Sequence, residues 1–316
     1  MPPRSPNPVI ILRNSGLLWS GVVLLLLAAG FGITASGLSI DFTSNPTLLL
    51  AGAGYIGIAY FYSRIRPDEH LSRALTTVAQ LFLILLVGLV LSYPATTIAL
   101  PYRDAELLAI DQWLGFNRTS YVKFFTDEPW KIRISDLIYL SMLPQMAIVP
   151  FVLMITNRIE RLQRFIAAYG IALIATIGIF VFVPAVGAFV YFDLTPAQYA
   201  SLPPSIYTPA RTLDALRSGA MKTISLSNLE GLIAFPSFHT AAAILYAWAL
   251  WPVKAVRWLV VPLNVAIVAT TPIGGSHYAI DVVAGFVVAL ASIAASGRLC
   301  GSEIGSIQVP QTKPAS

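Results

Sequence analysis

The sequence predicts an all-α, polytopic transmembrane helical bundle of about eight spans. Three observations carry that prediction. Of 316 residues, 56% are hydrophobic and only 11% charged, whereas soluble domains carry roughly 25% charged residues. Uninterrupted apolar runs recur at about the 17–25 residues a helix needs to cross a hydrocarbon core. Lys and Arg gather in the short connections at alternate ends of those runs, as membrane topology arranges them. Helices are the available solution, because each backbone N–H and C=O must be satisfied within its own segment.

The Pro-rich, basic stretch Met1–Ser15 reads as disordered or interfacial, and Gly16–Ser36 as a first span, longer than the apolar core of a signal peptide. Thr47–Tyr62 is the second span, ending in Arg64 and Arg66, and Ala74–Tyr93 the third, closed by Pro94. The polar interval Ala95–Arg133 places Leu107, Leu108, Ile110 and Leu114 at helical spacing among charges, which predicts an amphipathic helix lying on the membrane. Ser135–Ile155 and Ile166–Tyr191 are the fourth and fifth spans, separated by Arg158, Arg161 and Arg164. A second polar interval, Phe192–Ala234, carries Arg211, Arg217 and Lys222. The sixth span opens at Pro236-Ser237-Phe238-His239 and stops at Trp251-Pro252; Trp258–Thr271 is the seventh, and the eighth runs from His277 to Ser296.

The net charge of +5 does not mark a nucleic-acid binder, because the cations are scattered through loops with no basic stripe or tail. The single cysteine, Cys300, has no disulfide partner within the chain. Arg4, Arg13, Arg64, Arg66, Arg73, Arg158, Arg161, Arg164, Lys254, Arg257 and Arg298 fall at one set of ends, while the short opposite loops carry no cation. That asymmetry puts both termini in the cytoplasm. His239 and His277 then share the outer face.

Two of the three histidines sit in the short segments 235–240 and 275–281, each where a polar stretch meets an apolar one. The third, His70, stands beside Asp68 and Glu69 and reads as a loop residue. His277 and Asp281 are four apart at a predicted helix start and so share one face. A carboxylate there can accept the imidazole Nδ1–H and leave Nε2 free as nucleophile or base. Pro236 suits a helix first turn. The amides around Ser237 and Phe238 would then face outward, where a helix N-terminus favours anions. Taken singly, each segment is also what an ordinary helix cap with an interfacial histidine looks like; together on one face they point to a phosphate site. Gly274-Gly275 reads equally as an amide donor to a phosphate or as a plain turn.

Pro-Ser-x-His followed by Gly-x-His-Tyr-x-x-Asp resembles the type 2 phosphatidic acid phosphatase superfamily, most closely its inositol phosphorylceramide synthase-like branch, over about residues 213–285. The resemblance implies a six-helix phosphatase-like core and an organisation in three parts. Residues 1–63 would be an N-terminal tail and two extra transmembrane helices, 64–298 the lipid phosphatase or phosphotransferase domain, and 299–316 a disordered tail. It further implies that His277 attacks phosphorus to form a phosphohistidine, that Asp281 orients it, that His239 protonates the leaving alkoxide, and that Ser237 holds phosphoryl oxygens. No metal or other cofactor is implied. The family's Ser-Arg before the last histidine is replaced here by Thr270-Thr271, and Lys-x6-Arg-Pro is absent. Arg217 and Lys222, with Arg211 behind them, are the candidate substrate-binding cations that would replace those charges.

The partners implied are a membrane phospholipid donor and a lipid hydroxyl or water as acceptor. A lipid acceptor makes a head-group transferase, the reading the branch favours, and water makes a lipid phosphatase. A lipid transporter is the reading from another class, but the intramembrane charges that mark such pathways are almost absent from the spans. The compact format suggests a bacterial inner membrane.

Overall fold

A computed structural model of the chain describes residues 8–192 and 207–300. Its elements in order are α1 (Pro8–Ser36), β1 (Ser39–Asp41), α2 (Pro46–Arg64), α3 (Glu69–Thr96), α4 (Asp104–Trp113), α5 (Arg118–Thr126), α6 (Pro129–Leu140), α7 (Met142–Ile155), α8 (Ile159–Phe182), α9 (Ala188–Tyr191), α10 (Thr208–Arg217), β2 (Thr223–Ser225), α11 (Phe238–Leu250), α12 (Lys254–Gly274) and α13 (Ala279–Leu299).

Among the described residues six helical segments are long and apolar enough to cross a membrane: α1, α3, α6 with α7, α8, α12 and α13. The protein is an all-α polytopic integral membrane protein. The other two predicted spans form α2, 19 residues, and α11, 13 residues. At 1.5 Å per residue α11 rises about 20 Å, short of the roughly 30 Å core. Its missing turns are taken by the polar segment that carries Ser237.

Helix α1 begins at Pro8, so part of the expected disordered stretch is helical; the tail beyond residue 300 lies outside the described residues. Leu18, Val22, Leu25 and Ala29 of α1 share one core cluster with α3, α8 and α11, so the N-terminal helix is built into the bundle. α2 packs on α3. α8 ends at Phe182, nine residues before the expected Tyr191, because Val183–Gly187 leaves helical geometry and turns back toward α4. His70 lies in the first turn of α3, behind the Asp68 N-cap, and not in a loop.

Inside, Tyr169, Phe165, Leu245 and Tyr246 are buried, while Leu24, Phe31, Phe182, Leu259 and Val265 project outward as a lipid-facing belt. At one end of the bundle the described residues form a single short parallel pair, Ser39–Asp41 against Thr223–Ser225. It ties the α1–α2 loop to the segment leading into α11. At the opposite end Arg161 stacks 3.7 Å from the Trp248 ring and donates to the Trp248 carbonyl, and Arg158 reaches the Pro252 carbonyl at 3.4 Å.

Candidate active site

The site is built where α11 and α13 begin. α11 starts at Phe238, two residues later than Pro236 would suggest, because Ser237 is the N-cap. Its side chain accepts the Thr240 N–H at 3.3 Å, and its own N–H donates to the Asp281 carbonyl at 3.0 Å. The two segments approach this closely only because Gly285 lacks a side chain, as a Cβ there would lie 2.3 Å from the Ser237 carbonyl oxygen.

α13 likewise starts at Ala279, so His277 precedes the helix and does not share a helical face with Asp281. Capping brings them together instead. Asp281 folds back so that Oδ2 accepts the Tyr278 N–H at 2.9 Å and stands 3.1 Å from His277 Nδ1. An oxygen already accepting from a backbone amide is an acceptor for the ring as well, so Nδ1 carries the hydrogen and Nε2 the lone pair. Nε2 stands 3.4 Å from Ser237 Oγ. Burial lowers the His277 pKa to about 4, against the Ala234 carbonyl and with help from the Arg118 charge. His239 faces it, with ring centroids 6.3 Å apart. Ser237, His239, His277 and Asp281 are thus brought together.

The turn before His277 is held from outside. Ser276 adopts the left-handed conformation, φ 56°, which is costly for a residue with a side chain. Two bonds from α9 compensate: Ala188 N–H to the Ser276 carbonyl, 2.7 Å, and Phe189 N–H to Ser276 Oγ, 2.8 Å.

Four more side chains belong here: sequence reasoning missed Asp104, Arg118 and Tyr139, and offered Asp111, with Trp113 and Trp130, only as shaping an acceptor site. In α4, Leu107 is buried with the inward face that carries Asp104 and Asp111, while Ile110 and Leu114 are exposed. Asp111 accepts the Ala279 and Ile280 N–H groups at 2.9 and 2.8 Å, capping α13 from a distant helix. Asp104 accepts from Tyr278 Oη at 3.0 Å, from Val186 N–H at 3.0 Å and from Gly187 N–H at 3.3 Å. Burial raises its carboxyl above the usual range, and these donors oppose that. Arg118 lies between the Tyr278 and Phe192 rings, with Nη2 3.4 Å from Asp111 Oδ2 and 3.5 Å from the His277 carbonyl. A cavity of about 530 Å³ opens beside it, lined by Leu108, Gln112, Phe116, Asn117 and Phe192. The fourth is Tyr139 of α6, whose ring stacks on His239 at 4.4 Å and 21°. No linear signal links these positions to motifs more than 90 residues away.

Arg217 and Lys222 are placed differently. Arg217 donates to the Leu100 carbonyl at 2.8 Å and covers the Tyr102 ring at 3.9 Å. Lys222 curls over Gly219, and its carbonyl binds the start of β1. Among the described residues neither makes a hydrogen bond or ion pair with Ser237, His239, His277 or Asp281, and Arg118 is a cation that does reach the His277 turn. Proximity along the chain to the sixth span misled here, because α10 stands on α3. Gly274-Gly275 serves close approach: Cβ atoms there would lie 2.6 Å from the Tyr139 ring and 2.5 Å from His277 Cδ2.

The arrangement has a histidine whose tautomer leaves one ring nitrogen free, a second imidazole across from it, and a hydroxyl and cation nearby, which suits phosphoryl transfer. A family model described as the PAP2 superfamily matches residues 105–295. That range holds both histidine segments as well as α4, Arg118 and Tyr139. Searches of curated proteins and of solved structures return no match. With more than half of its length matched, the chain belongs to the PAP2 superfamily, whose activity is of the lipid phosphatase and phosphotransferase type.

Proposed function

We propose that the protein transfers a phospho-head group from a membrane phospholipid to a lipid hydroxyl, through a phosphohistidine on His277, in the manner of the inositol phosphorylceramide synthase-like branch. The observation that carries the reading is the His277 environment: Nδ1 is engaged by Asp281, and Nε2 faces Ser237 Oγ at 3.4 Å. In the first step the Nε2 lone pair attacks phosphorus, the bond from phosphorus to the leaving alkoxide breaks, and His239 gives that oxygen a proton. In the second, His239 takes the proton of the acceptor hydroxyl, whose oxygen attacks phosphorus as the N–P bond breaks. Asp281 holds the imidazole while positive charge develops on it, and Ser237 donates to a phosphoryl oxygen. Arg118 supplies the cationic field that the family draws from its motif arginine, and the cavity beside it is space for a head group.

The cations at the α7–α8 and α11–α12 turns support cytoplasmic termini and a site on the outer, periplasmic face of a bacterial inner membrane.

The test is turnover in detergent with labelled phosphatidic acid, phosphatidylinositol and phosphatidylglycerol, with and without ceramide. Label on ceramide supports transfer, and acceptor-independent phosphate release makes the protein a lipid phosphatase instead. His277→Ala should lower turnover by about 10³-fold or more. Product formed equally by His277→Ala and wild type would sink the histidine mechanism.

A further inference from the structure

We infer that Tyr139 is a further catalytic residue of this site, its hydroxyl donating to a non-bridging phosphoryl oxygen while its ring holds His239. The inference rests on the phosphotransfer reading and deepens it.

The residue is 9% exposed, and its hydroxyl makes no hydrogen bond among the described residues, yet its oxygen is not one of the fully sealed polar atoms and so stays reachable by a ligand. A phenol this buried ordinarily finds a partner, so an unpaired one facing the nucleophile calls for a ligand. Its position follows from Gly275. A Cβ on that residue would lie 2.6 Å from Tyr139 Oη and 2.8 Å from His277 Nε2, so the two atoms are at most 5.4 Å apart, the total of those two distances. A phosphorus poised about 3–3.5 Å from Nε2 carries oxygens about 1.5 Å further out. That span leaves room for one of them to sit at the roughly 2.7 Å of an O–H···O bond to Oη.

The site also needs that donor. Thr270 and Thr271 stand where the family has Ser-Arg, and both spend their hydroxyl hydrogens on their own helix, to the Ala266 and Ile267 carbonyls at 3.0 and 2.8 Å. Tyr139 approaches from α6, which packs along α12. Its ring fits only because Gly274 leaves room: a Cβ there would lie 2.6–3.0 Å from ring and Cβ atoms of the tyrosine. The ring then stacks on His239 with planes 21° apart, which fixes the imidazole opposite His277.

Tyr139→Phe keeps the stack and removes the hydroxyl. It should lower kcat by about 10²-fold, the effect of losing one oxyanion donor, with KM within about threefold and an unchanged melting temperature. Tyr139→Leu removes the stack too, and should lower kcat further while moving the His239 limb of the pH–rate profile. Orthovanadate, which takes the trigonal-bipyramidal geometry of the transition state, gives a readout that does not depend on turnover; Tyr139→Phe should bind it about tenfold more weakly. Wild-type kcat and vanadate affinity in Tyr139→Phe would overturn this inference and leave the phosphotransfer reading standing. A wild-type protein that neither turns over phospholipid nor binds vanadate would overturn both.

Discussion

The two ends of the bundle treat buried charge in opposite ways. At the arginine end, Arg158 and Arg161 lay their guanidinium groups on the Pro252, Ala249 and Trp248 carbonyls, and Trp248 lies beneath Arg161. These cations cap the C-terminus of α11 and anchor the turn between helices at an interface. At the site end the fully buried charges are carboxylates, with Arg118 beside one of them, and they accept from backbone N–H groups: Asp111 from residues 279 and 280, Asp104 from 186 and 187, Asp281 from 278. A carboxylate caps a helix start as a guanidinium caps a helix end. The difference is that at the site end the capped segments carry or brace the His277 turn: residues 278–280 follow His277, and 186–187 lead into the α9 amides that hold Ser276. Charge secures the bundle at one end and shapes the candidate site at the other.

That contrast can be broken by substitution. The largest effect is expected from Gly275→Ala, whose Cβ would press on both His277 Nε2 and Tyr139 Oη. Turnover should fall by more than about 100-fold, because displacement of a reacting atom by about 1 Å has that effect. Near wild-type activity would show that the nucleophile is not held as described.

Asp111→Asn comes next. It sets an amide NH2 against one of the two backbone donors, since Oδ1 and Oδ2 accept one each, and leaves Arg118 unpaired beside it; a broken buried ion pair costs about 3 kcal/mol. Both kcat and the melting temperature should drop, kcat by about tenfold.

A smaller effect is expected from pH. The His277 pKa is held at about 4 when folded, below its ordinary value of 6.5, so the unfolded chain binds the extra proton first as pH falls. This contribution to stability is complete above pH 6.5 and is lost as pH drops from there through 4. The melting temperature of wild type should decline over that window, and His277→Gln should flatten the decline. An unchanged decline in the variant would assign it to other groups.

The smallest effect belongs to the other end. Arg161→Gln gives up a cation–π contact worth about 1 kcal/mol and should lower the melting temperature slightly, with kcat within about twofold. If Arg161→Gln lowered kcat as much as Asp111→Asn, the proposed division between the ends would fail.

How much of the site could be read beforehand follows the same division. Ser237, His239, His277 and Asp281 were legible because polar residues interrupt long apolar runs at just two places that pair histidine with serine or aspartate. Even there the reason for the His277–Asp281 contact was different: a cap reaching back, not a shared helical face. Arg217 and Lys222 were chosen for closeness along the chain to the sixth span, but α10 directs Arg217 to Leu100 and Tyr102. The aspartates of α4 were masked by its leucines, since a helix on a membrane turns its apolar face outward to lipid and can keep its charges inside.

By itself the sequence determined the fold class, most of the spans and the four motif residues, because hydropathy and local spacing are properties of neighbouring residues. Only the tertiary structure decided which cation, carboxylates and phenol surround His277. Asp111 meets residues 279 and 280, and Tyr139 meets His239 and His277, through helix packing between residues about 100 or more positions apart. Contacts of that kind depend on how whole helices cross and where glycines let them approach, and no local pattern records it.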